Sequence, residues 1–457
     1  MYFIFLPSFL IFILSFFKIN RILMSVLAAG IILPVIYILN NPFHNEFFYA
    51  DKLGGFVLLI SSIVGIGVSL SLISLPERVN IDEKDIKLFY RFFGIFWFGL
   101  IISILANNMG LYWIGLEFAT LSTVYMIKTK RTTASHKEAW KYLIVGAVAI
   151  SLILFGIILM YSSAKANLGE NAMNFYVLMK RTDKINPFLF EIGFLIASVG
   201  MFVKMGFFPM NLWLADIERA AVYPVGALFS GILESAIILG FFRFSKIEYM
   251  INYSHLITFV YAYFIFTLFM VSFLLFRSKD YMRMFSLSGI EHMTLISLFW
   301  VSGGFFAALL HFAAHAFFKP ALFLSSGMLE QKGKYIFKGT LKGYKNKIVP
   351  LLISLLLLGV ISLPPSPMFF SEIFGFKAMI DISKGSSYFM WMISAVFLIL
   401  IFLSVIFYKF VRVYQEALYE GEEKEKKVYK SEILMLIMFV VSLFSLLFGF
   451  DYIKGII

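Results

Sequence analysis

Residues 196–213, IASVGMFVKMGFFPMNLW, decide the fold of this chain. The stretch is apolar apart from one charge, Lys204, and Pro209 follows that charge five residues later. A charge deep in a bilayer costs at least about 2.5–3.5 kcal/mol, so it usually marks an ion or proton path. Proline interrupts the hydrogen-bond ladder of a helix. The stretch therefore predicts a transmembrane helix that breaks close to a buried lysine.

The composition of the whole chain agrees with a membrane protein. Of 457 residues, 61% are hydrophobic and only 14% are charged, which excludes a soluble domain because its surface could not be covered with polar groups. A span needs about 20 apolar residues, and about fourteen can be placed. We predict an all-α polytopic membrane protein whose first helix is retained. Its spans are centred near residues 10, 30, 64, 98, 118, 150, 198, 233, 265, 292, 316, 360, 400 and 443.

Two more apolar stretches carry isolated ionisable residues. Residues 307–327, AALLHFAAHAFFKPALFLSSG, place His311, His315 and Lys319 at steps of four, so the three climb one face of a helix over roughly 12 Å. Imidazoles beside a lysine form a plausible proton relay. The string HFAAH lacks the glutamate of the zincin motif, so we expect no metal site.

Glu117 is the charge inside residues 108–126, NMGLYWIGLEFATLSTVYM. One interpretation is an ion pair with Lys204 that alternates between closed and open states. The other is a structural carboxylate bonded to a hydroxyl such as Thr120 or Ser122.

Further ionisable residues lie in or beside apolar stretches. Glu291 and His292 are adjacent and so point in different directions on a helix. Asp216, Glu218 and Arg219 flank the first break and fit ordinary interfacial charges. The predicted proton path comprises Glu117, Lys204, Glu234, His292, His311, His315, Lys319 and Glu372.

A second break is predicted in GVISLPPSPMFFSEIFGFKA, where Pro364, Pro365 and Pro367 interrupt the helix and Glu372 follows. Broken helices at corresponding points of two halves are typical of inverted-repeat transporters. We therefore predict one transmembrane domain over 1–457 with two inverted five-helix repeats, 89–245 and 255–413, each containing a broken helix.

Charge distribution predicts the orientation. The net charge is +12, and the basic runs 128–141, 332–347 and 422–430 all fall on one side if the spans are even in number. By the positive-inside rule this side is cytoplasmic, so we expect both termini outside a plasma membrane. Anionic lipid or a cytoplasmic protein, rather than nucleic acid, is the expected partner of the basic loops.

The chain has no cysteine, which excludes disulfides, Cys-ligated zinc and iron–sulfur clusters in it. We expect no cofactor in this chain and no redox step of its own.

Several strings resemble the antiporter-like subunits of respiratory complex I and their relatives. The matching positions are Gly200, Lys204, Pro209, Trp213, Leu214, Asp216, Pro224 and Val225, then Asp280, Arg283, Ser288, Ile290 and His292, then the His311–His315–Lys319 helix and the WIGLE string. EAWKYLIVGAVAISLILFG and LPPSPMFFSE look most like component F of hydrogenase 4. Subunits M and N of NADH-quinone oxidoreductase and Mrp antiporter subunits are related.

The resemblance implies that Glu117 and Lys204 form the ion pair of a first half-channel. It also implies that Lys319, Glu372 and the three histidines belong to a second. The chain departs from the pattern at Asn211, at 215–218 and at Ser235. At the position of Ser235, relatives often carry a lysine that links the two halves.

The expected function is a proton-translocating membrane subunit of a complex I-like oxidoreductase, of membrane-bound hydrogenase type. Its partners would be other membrane subunits and a peripheral redox module. One alternative is a subunit of a multisubunit sodium/proton antiporter. Another is a membrane scaffold that transports nothing.

Overall fold

The computed structural model of the chain describes residues 2–17, 20–79, 81–251, 257–330, 336–420 and 426–456. Within them the protein consists almost entirely of helices, as predicted. Three sequence features lie partly or wholly outside the described residues: the basic runs 332–347 and 422–430, and the start of the second predicted repeat at residue 255.

The helices follow one another along the chain as α1 (Leu6–Leu14), α2 (Arg21–Ala29), α3 (Ile32–Asn40), α4 (Lys52–Val79), α5 (Glu83–Leu105), α6 (Met109–Lys128), α7 (Thr133–Leu168), α8 (Phe175–Lys180), α9 (Pro187–Lys204), α10 (Leu212–Ala220), α11 (Tyr223–Leu228), α12 (Glu234–Ile251), α13 (Ile257–Arg277), α14 (Tyr281–Val301), α15 (Phe305–Leu329), α16 (Ile348–Gly359), α17 (Pro367–Ser383), α18 (Phe389–Tyr419), α19 (Lys430–Phe448) and α20 (Phe450–Lys454). A short antiparallel pair joins β1 (Phe43–His44) to β2 (Tyr49–Ala50).

Among the described residues, eleven helical segments are long and apolar enough to cross a membrane, judged by length and composition. They account for eleven of the fourteen predicted positions. The other three positions fall on shorter or more polar helices. These are α1, with 9 residues, α6, which carries Glu117, and the end of α16, with 12 residues.

Both predicted helix breaks are confirmed. The first lies between the end of α9 at Lys204 and the start of α10 at Leu212, with Pro209 in the gap. The second lies between the end of α16 at Gly359 and the start of α17 at Pro367. Proline is tolerated at the first position of a helix, where the missing N–H has no intrahelical acceptor. The division into two inverted repeats stays a prediction.

The chain folds into two compact units. The first comprises Met1–Ile66, Ile81–Trp213 and Ile232–Thr258, and the second comprises Gly67–Asn80, Leu214–Gly231 and Phe259–Ile457.

In the first unit, α7 and α9 pack with their backbones in contact. A Cβ atom on Gly156 would lie 2.4 Å from the carbonyl oxygen of Gly193, and one on Gly200 would lie 2.5 Å from that of Ala149. No side chain fits at either distance, so the glycines permit the close approach. This packing places Lys204, the last residue of α9, directly beside α7.

In the second unit, α15 lies at the centre. It packs against α11, α14, α17 and α19, and the apolar stretch of α15 that is long enough to cross a membrane is entirely buried. Ionisable residues within a membrane span usually face the protein interior and not the lipid. The helix that carries His311, His315 and Lys319 is therefore enclosed in protein.

Candidate functional site

Lys204 is buried in the first unit, with 3% of its surface exposed. Its Nζ donates a hydrogen bond of 2.8 Å to Oγ1 of Thr120 on α6. The ammonium also lies 5.1 Å from the centre of the Tyr142 ring on α7, within the range of a cation–π interaction. The structure thus provides one neutral acceptor and one aromatic face for this charge.

Glu117 precedes Thr120 by three residues on α6, so the two side chains lie near each other on the helix surface. Among the described residues no ion pair joins Glu117 to a cation, and its buried Oε2 has no hydrogen-bond partner. Thr120 Oγ1 donates to the carbonyl of Leu116 at 2.8 Å, so the predicted alternative of a Glu117–Thr120 bond is not formed. Lys204 therefore binds Thr120, one helical turn from the carboxylate of Glu117. The Glu117–Lys204 ion pair stays a prediction.

Gly146 on α7 provides the space for the ammonium group of Lys204, and no sequence pattern indicated this role. A Cβ atom on this residue would lie 3.2 Å from Nζ of Lys204 and 3.3 Å from Cγ2 of Thr120. The same turn of α7 carries Tyr142, whose hydroxyl accepts a 3.0 Å hydrogen bond from Thr123. The spacing of Tyr142 and Gly146, four residues apart, was visible in the sequence but has no meaning without the lysine opposite.

Glu234 is also buried, with 3% of its surface exposed. It is the first residue of α12, directly after a π-helical turn at Phe229–Leu233. π-helical turns inside α-helices are frequent at functional sites, and no sequence pattern indicated this one.

The second unit contains a hydrogen-bonded row of four side chains, which we call the histidine row: Ser288, His292, His311 and Ser371. Ser288 Oγ lies 3.3 Å from Nε2 of His292. Nδ1 of His292 lies 3.1 Å from Nε2 of His311, and Nδ1 of His311 lies 2.8 Å from Ser371 Oγ. The row links α14, α15 and α17 through buried groups.

Ser371 fixes the direction of the two hydrogen bonds that His311 makes. Ser371 Oγ donates to the carbonyl of Met368 at 2.6 Å, so it accepts from Nδ1–H of His311. Neutral His311 then accepts at Nε2 from Nδ1–H of His292, and both nitrogens of His311 have a partner, since a neutral imidazole has one donor and one acceptor. Nε2 of His292 faces Ser288 Oγ, whose single proton is shared between this nitrogen and the carboxylate of Glu291. Such a row can pass a proton when each group exchanges its donor and acceptor ends.

His315 and Lys319 lie on the same helix as His311. The rings of His315 and His292 are 5.8 Å apart. Lys319 is fully buried, donates to the carbonyl oxygen of Phe285, and lies 5.8 Å from the centre of the Phe285 ring. All three residues of the predicted His–His–Lys face are therefore enclosed in protein, which makes snorkelling of Lys319 to a lipid headgroup impossible here.

Glu372 and Glu291 flank the histidine row. Glu372 is the residue after Ser371 and accepts a hydrogen bond from Ser362 in the second helix break. Glu291 is buried, and its Oε1 lies 4.0 Å from Nδ1 of His292. The structure therefore places Glu372, His292, His311, His315 and Lys319 in one unit, and their role as a second half-channel stays a prediction.

Glu218 differs from what the sequence suggested. It was expected at the interface with Asp216 and Arg219, but only 1% of its surface is exposed. Its carboxylate accepts a hydrogen bond from Ser286 on α14. In contrast, Arg219 is exposed and pairs with Asp280 at 3.0 Å. The signal that was available is the spacing: in a helix, residues two apart point to different sides.

Among the described residues, no group of three or more His, Cys, Asp or Glu side chains could hold a metal ion. The chemistry of these residues is acid–base chemistry: buried lysines, carboxylates, imidazoles and hydroxyls that can bind and release protons.

Residues 106–402 match the family described as NADH:quinone oxidoreductase/Mrp antiporter, TM. The hydrogenase-4 component F homolog of Methylacidiphilum infernorum (isolate V4) is 31% identical over 344 residues, which are 72% of this chain and 71% of the relative.

Two solved structures have a similar fold. A subunit chain of an archaeal membrane-bound sulfane sulfur reductase superimposes with a TM-score of 0.82 at 17% identity, covering 100% of this chain and 95% of that one. A chain of the Mrp complex from Dietzia sp. DQ12-45-1b gives a TM-score of 0.82 at 13% identity, covering 99% and 95%. The family match, the apolar helices and the two helix breaks agree, and the chain therefore belongs to the NADH:quinone oxidoreductase/Mrp antiporter transmembrane family as a multi-pass, antiporter-like membrane protein.

Proposed function

We propose that this chain is the proton-translocating membrane subunit of a complex I-like oxidoreductase of the hydrogenase-4 type. The observation that carries the proposal is the histidine row, in which Ser288, His292, His311 and Ser371 form an unbroken series of hydrogen bonds between buried side chains. Each member of the row can bind or release a proton, and consecutive hydrogen bonds between such groups are the connection that proton transfer requires. The 31% identity to a hydrogenase-4 component F homolog supports the choice of complex.

The two buried lysines would be the sites where charge changes. In the first unit, Lys204 is bonded to Thr120, with Glu117 one turn away. A swing of the ammonium from the hydroxyl to the carboxylate converts a weakly compensated charge into an ion pair, which changes how firmly the lysine holds its proton. Redox chemistry in partner subunits would drive the swing, and this chain would supply only the proton path.

The partners of the chain would be other membrane subunits and a peripheral redox module. Their redox groups would carry the electrons, because this chain has no cysteine for iron–sulfur ligation. We place the protein in the plasma membrane with both termini outside, since the basic runs would otherwise face away from the cytoplasm.

The test of function is proton uptake by inverted vesicles that contain the assembled complex. Lys204→Ala and Lys319→Ala are expected to abolish uptake while electron transfer continues or slows. Lys338→Ala is the matched control, because Lys338 is an exposed lysine paired with Glu420 at 2.8 Å, and it should pump as the wild type does. Normal uptake in both buried-lysine variants would make this chain a scaffold.

The same vesicles separate the oxidoreductase from the antiporter. The family includes Mrp antiporters, so a sodium/proton antiporter subunit is the second candidate. Proton movement that needs a sodium gradient and no electron donor would favour the antiporter. Movement that needs the electron donor and is indifferent to sodium supports the oxidoreductase.

Orientation has an independent test, because the chain contains no cysteine and single-cysteine variants can be labelled. Asp183→Cys lies between the predicted spans near residues 150 and 198, on the side opposite to the basic runs, and Lys338→Cys lies in the predicted cytoplasmic run 332–347. Both side chains are well exposed, at 64% and 58%. In whole cells an impermeant maleimide should label only the first variant, and the opposite pattern would invert the orientation.

A further inference from the structure

Glu218 is a buried acid outside the proposed proton path. It lies on α10, just after the first helix break. The nearest charged residues along the chain are less buried than Glu218: Asp216 is half-buried and Arg219 is exposed. Burying a carboxylate costs several kcal/mol unless hydrogen bonds or a nearby charge compensate. Two groups near Glu218 compensate the cost of burying its carboxylate.

The first compensating group is the hydroxyl of Ser286, which has two possible acceptors but one proton. Ser286 Oγ lies within hydrogen-bond distance of a carboxylate oxygen of Glu218 and 3.0 Å from the carbonyl oxygen of Met282. When Glu218 is ionised, the hydroxyl donates to the carboxylate. When Glu218 is protonated, the acid can donate to Ser286 and the hydroxyl can turn to Met282. Both protonation states are thus satisfied by one rotation of a hydroxyl.

The second compensating group is Lys319, bound at the adjacent residue of the same helix. Its Nζ donates to the carbonyl of Phe285, while Glu218 is bound to the side chain of Ser286. A buried lysine and a buried acid are therefore attached to consecutive residues of α14. Together they have zero net charge either as ammonium and carboxylate or as amine and carboxylic acid, so a proton can pass between these states without leaving a net charge in the interior.

We propose that Glu218 is the proton-binding counter-charge of Lys319, and that the Ser286 hydroxyl rotates with the protonation state of Glu218. The proposal rests on the proposed function, because it adds a member to the same proton path.

One other acid competes for this role. Glu218 and Glu291 both interact electrostatically with Lys319, as does His315. Glu291 lies beside His292, at the histidine row. Glu291 shares the hydroxyl of Ser288 with His292, whereas the Ser286 hydroxyl bound to Glu218 has the carbonyl of Met282 as its second acceptor. Glu218→Gln and Glu291→Gln therefore have different expected results.

Infrared difference spectroscopy of the assembled complex, between an acidic and an alkaline buffer, reports the proton on Glu218 directly. The C=O stretching band of a buried carboxylic acid is expected in the wild type and in Asp216→Asn, and it should disappear in Glu218→Gln. In Ser286→Ala the band should shift, because the acid loses its hydrogen-bond acceptor, and Ser286→Thr should restore it. A spectrum in which Glu218→Gln keeps every band overturns the proposal.

Proton uptake by inverted vesicles supplies the second readout. Glu218→Gln is expected to slow uptake about 100-fold or more, the usual loss when a positioned proton donor is removed, with electron transfer retained. Asp216→Asn should pump normally. If Lys319→Ala abolishes uptake but Glu218→Gln does not, Glu218 is structural and the proposal fails while the proposed function stands. If neither substitution matters, the proposed function fails.

Two further variants keep the test decisive. Should Glu218→Gln not assemble, Ser286→Ala is the milder change, and an unshifted carboxyl band in it contradicts the rotating hydroxyl. Should Glu291→Gln, rather than Glu218→Gln, remove the band, the counter-charge of Lys319 is Glu291 and the assignment to Glu218 is wrong.

Discussion

Replacing Thr120 with valine tests whether Lys204 has two alternative resting places. Valine has nearly the shape of threonine but lacks Oγ1, the atom that accepts the 2.8 Å hydrogen bond from Lys204. A hydrogen bond to a charged group contributes about 1.5–3 kcal/mol, which corresponds to about tenfold to 100-fold in the distribution between two positions. In Thr120→Val the ammonium should therefore move toward Glu117, whose Oε2 has no hydrogen-bond partner among the described residues.

The displacement can be measured with a double-mutant cycle on the thermal stability of the purified protein. Glu117→Gln alone should cost little, since Lys204 rests on Thr120. Thr120→Val alone should cost less than the full hydrogen bond, since Lys204 moves to Glu117. The double variant leaves the ammonium with neither, so its destabilisation should exceed the sum of the two by about 1 kcal/mol or more.

Thr120→Ser is the control for this cycle. It keeps the hydroxyl and loses one methyl group, worth about 0.8 kcal/mol when buried, and it should show no coupling with Glu117→Gln. Strict additivity of Thr120→Val and Glu117→Gln would refute the two-position reasoning. Reduced proton uptake in Thr120→Val, with normal uptake in Thr120→Ser, would connect the displacement to transport.

Three further predictions concern other parts of the chain. Gly146→Ala should displace the head of Lys204, because the new Cβ would lie 3.2 Å from Nζ; overpacking of this kind costs about 1–3 kcal/mol, and uptake assays should show slowed pumping in the assembled complex. Glu248→Gln should leave the melting temperature unchanged or raise it. Both oxygens of this buried carboxylate have no hydrogen-bond partner in the described part of the chain, and a neutral amide is less costly to bury. A large drop in the melting temperature would contradict this prediction. In the loop before α19, burial lowers the pKa of Lys426 from 10.5 to about 8, so the unfolded chain binds more protons between these values and stability should rise with pH across that window. Melting curves at several pH values should lose this rise in Lys426→Met, and a rise of equal size in both proteins would refute the assignment.

Much of the architecture could be predicted from sequence because it depends on chemistry that acts locally. Long apolar stretches must form helices in a bilayer, where every backbone polar group needs an internal partner. Pro209 and the prolines at 364, 365 and 367 predicted the two breaks, which lie between Lys204 and Leu212 and between Gly359 and Pro367. Proline alone does not decide a break, because Pro76 and Pro320 lie inside α4 and α15. The spacing of four from His311 to Lys319 likewise placed those residues on one face before any tertiary contact was known.

The roles of the neighbouring residues could not be predicted, because they depend on which helices meet. Gly146 matters only because α9 brings Lys204 against it, and Thr120 was considered as a partner of Glu117 but binds Lys204 instead. Ser371 gains its place at the end of the histidine row because α17 packs on α15. None of these pairs has a fixed separation in the chain, so no local pattern reveals them.

The amino-acid order alone establishes that this chain spans a membrane, where its helices break, and which lysines, histidines and glutamates are too costly to bury without a purpose. Packing between helices supplies the rest: Lys204 rests on Thr120, the histidines form a hydrogen-bonded row, and Glu218 turns inward to Ser286 while Arg219 turns out to Asp280. The physical reason is that the cost of burying a charge is a property of the residue and its segment, whereas the compensation for that cost comes from atoms on other helices.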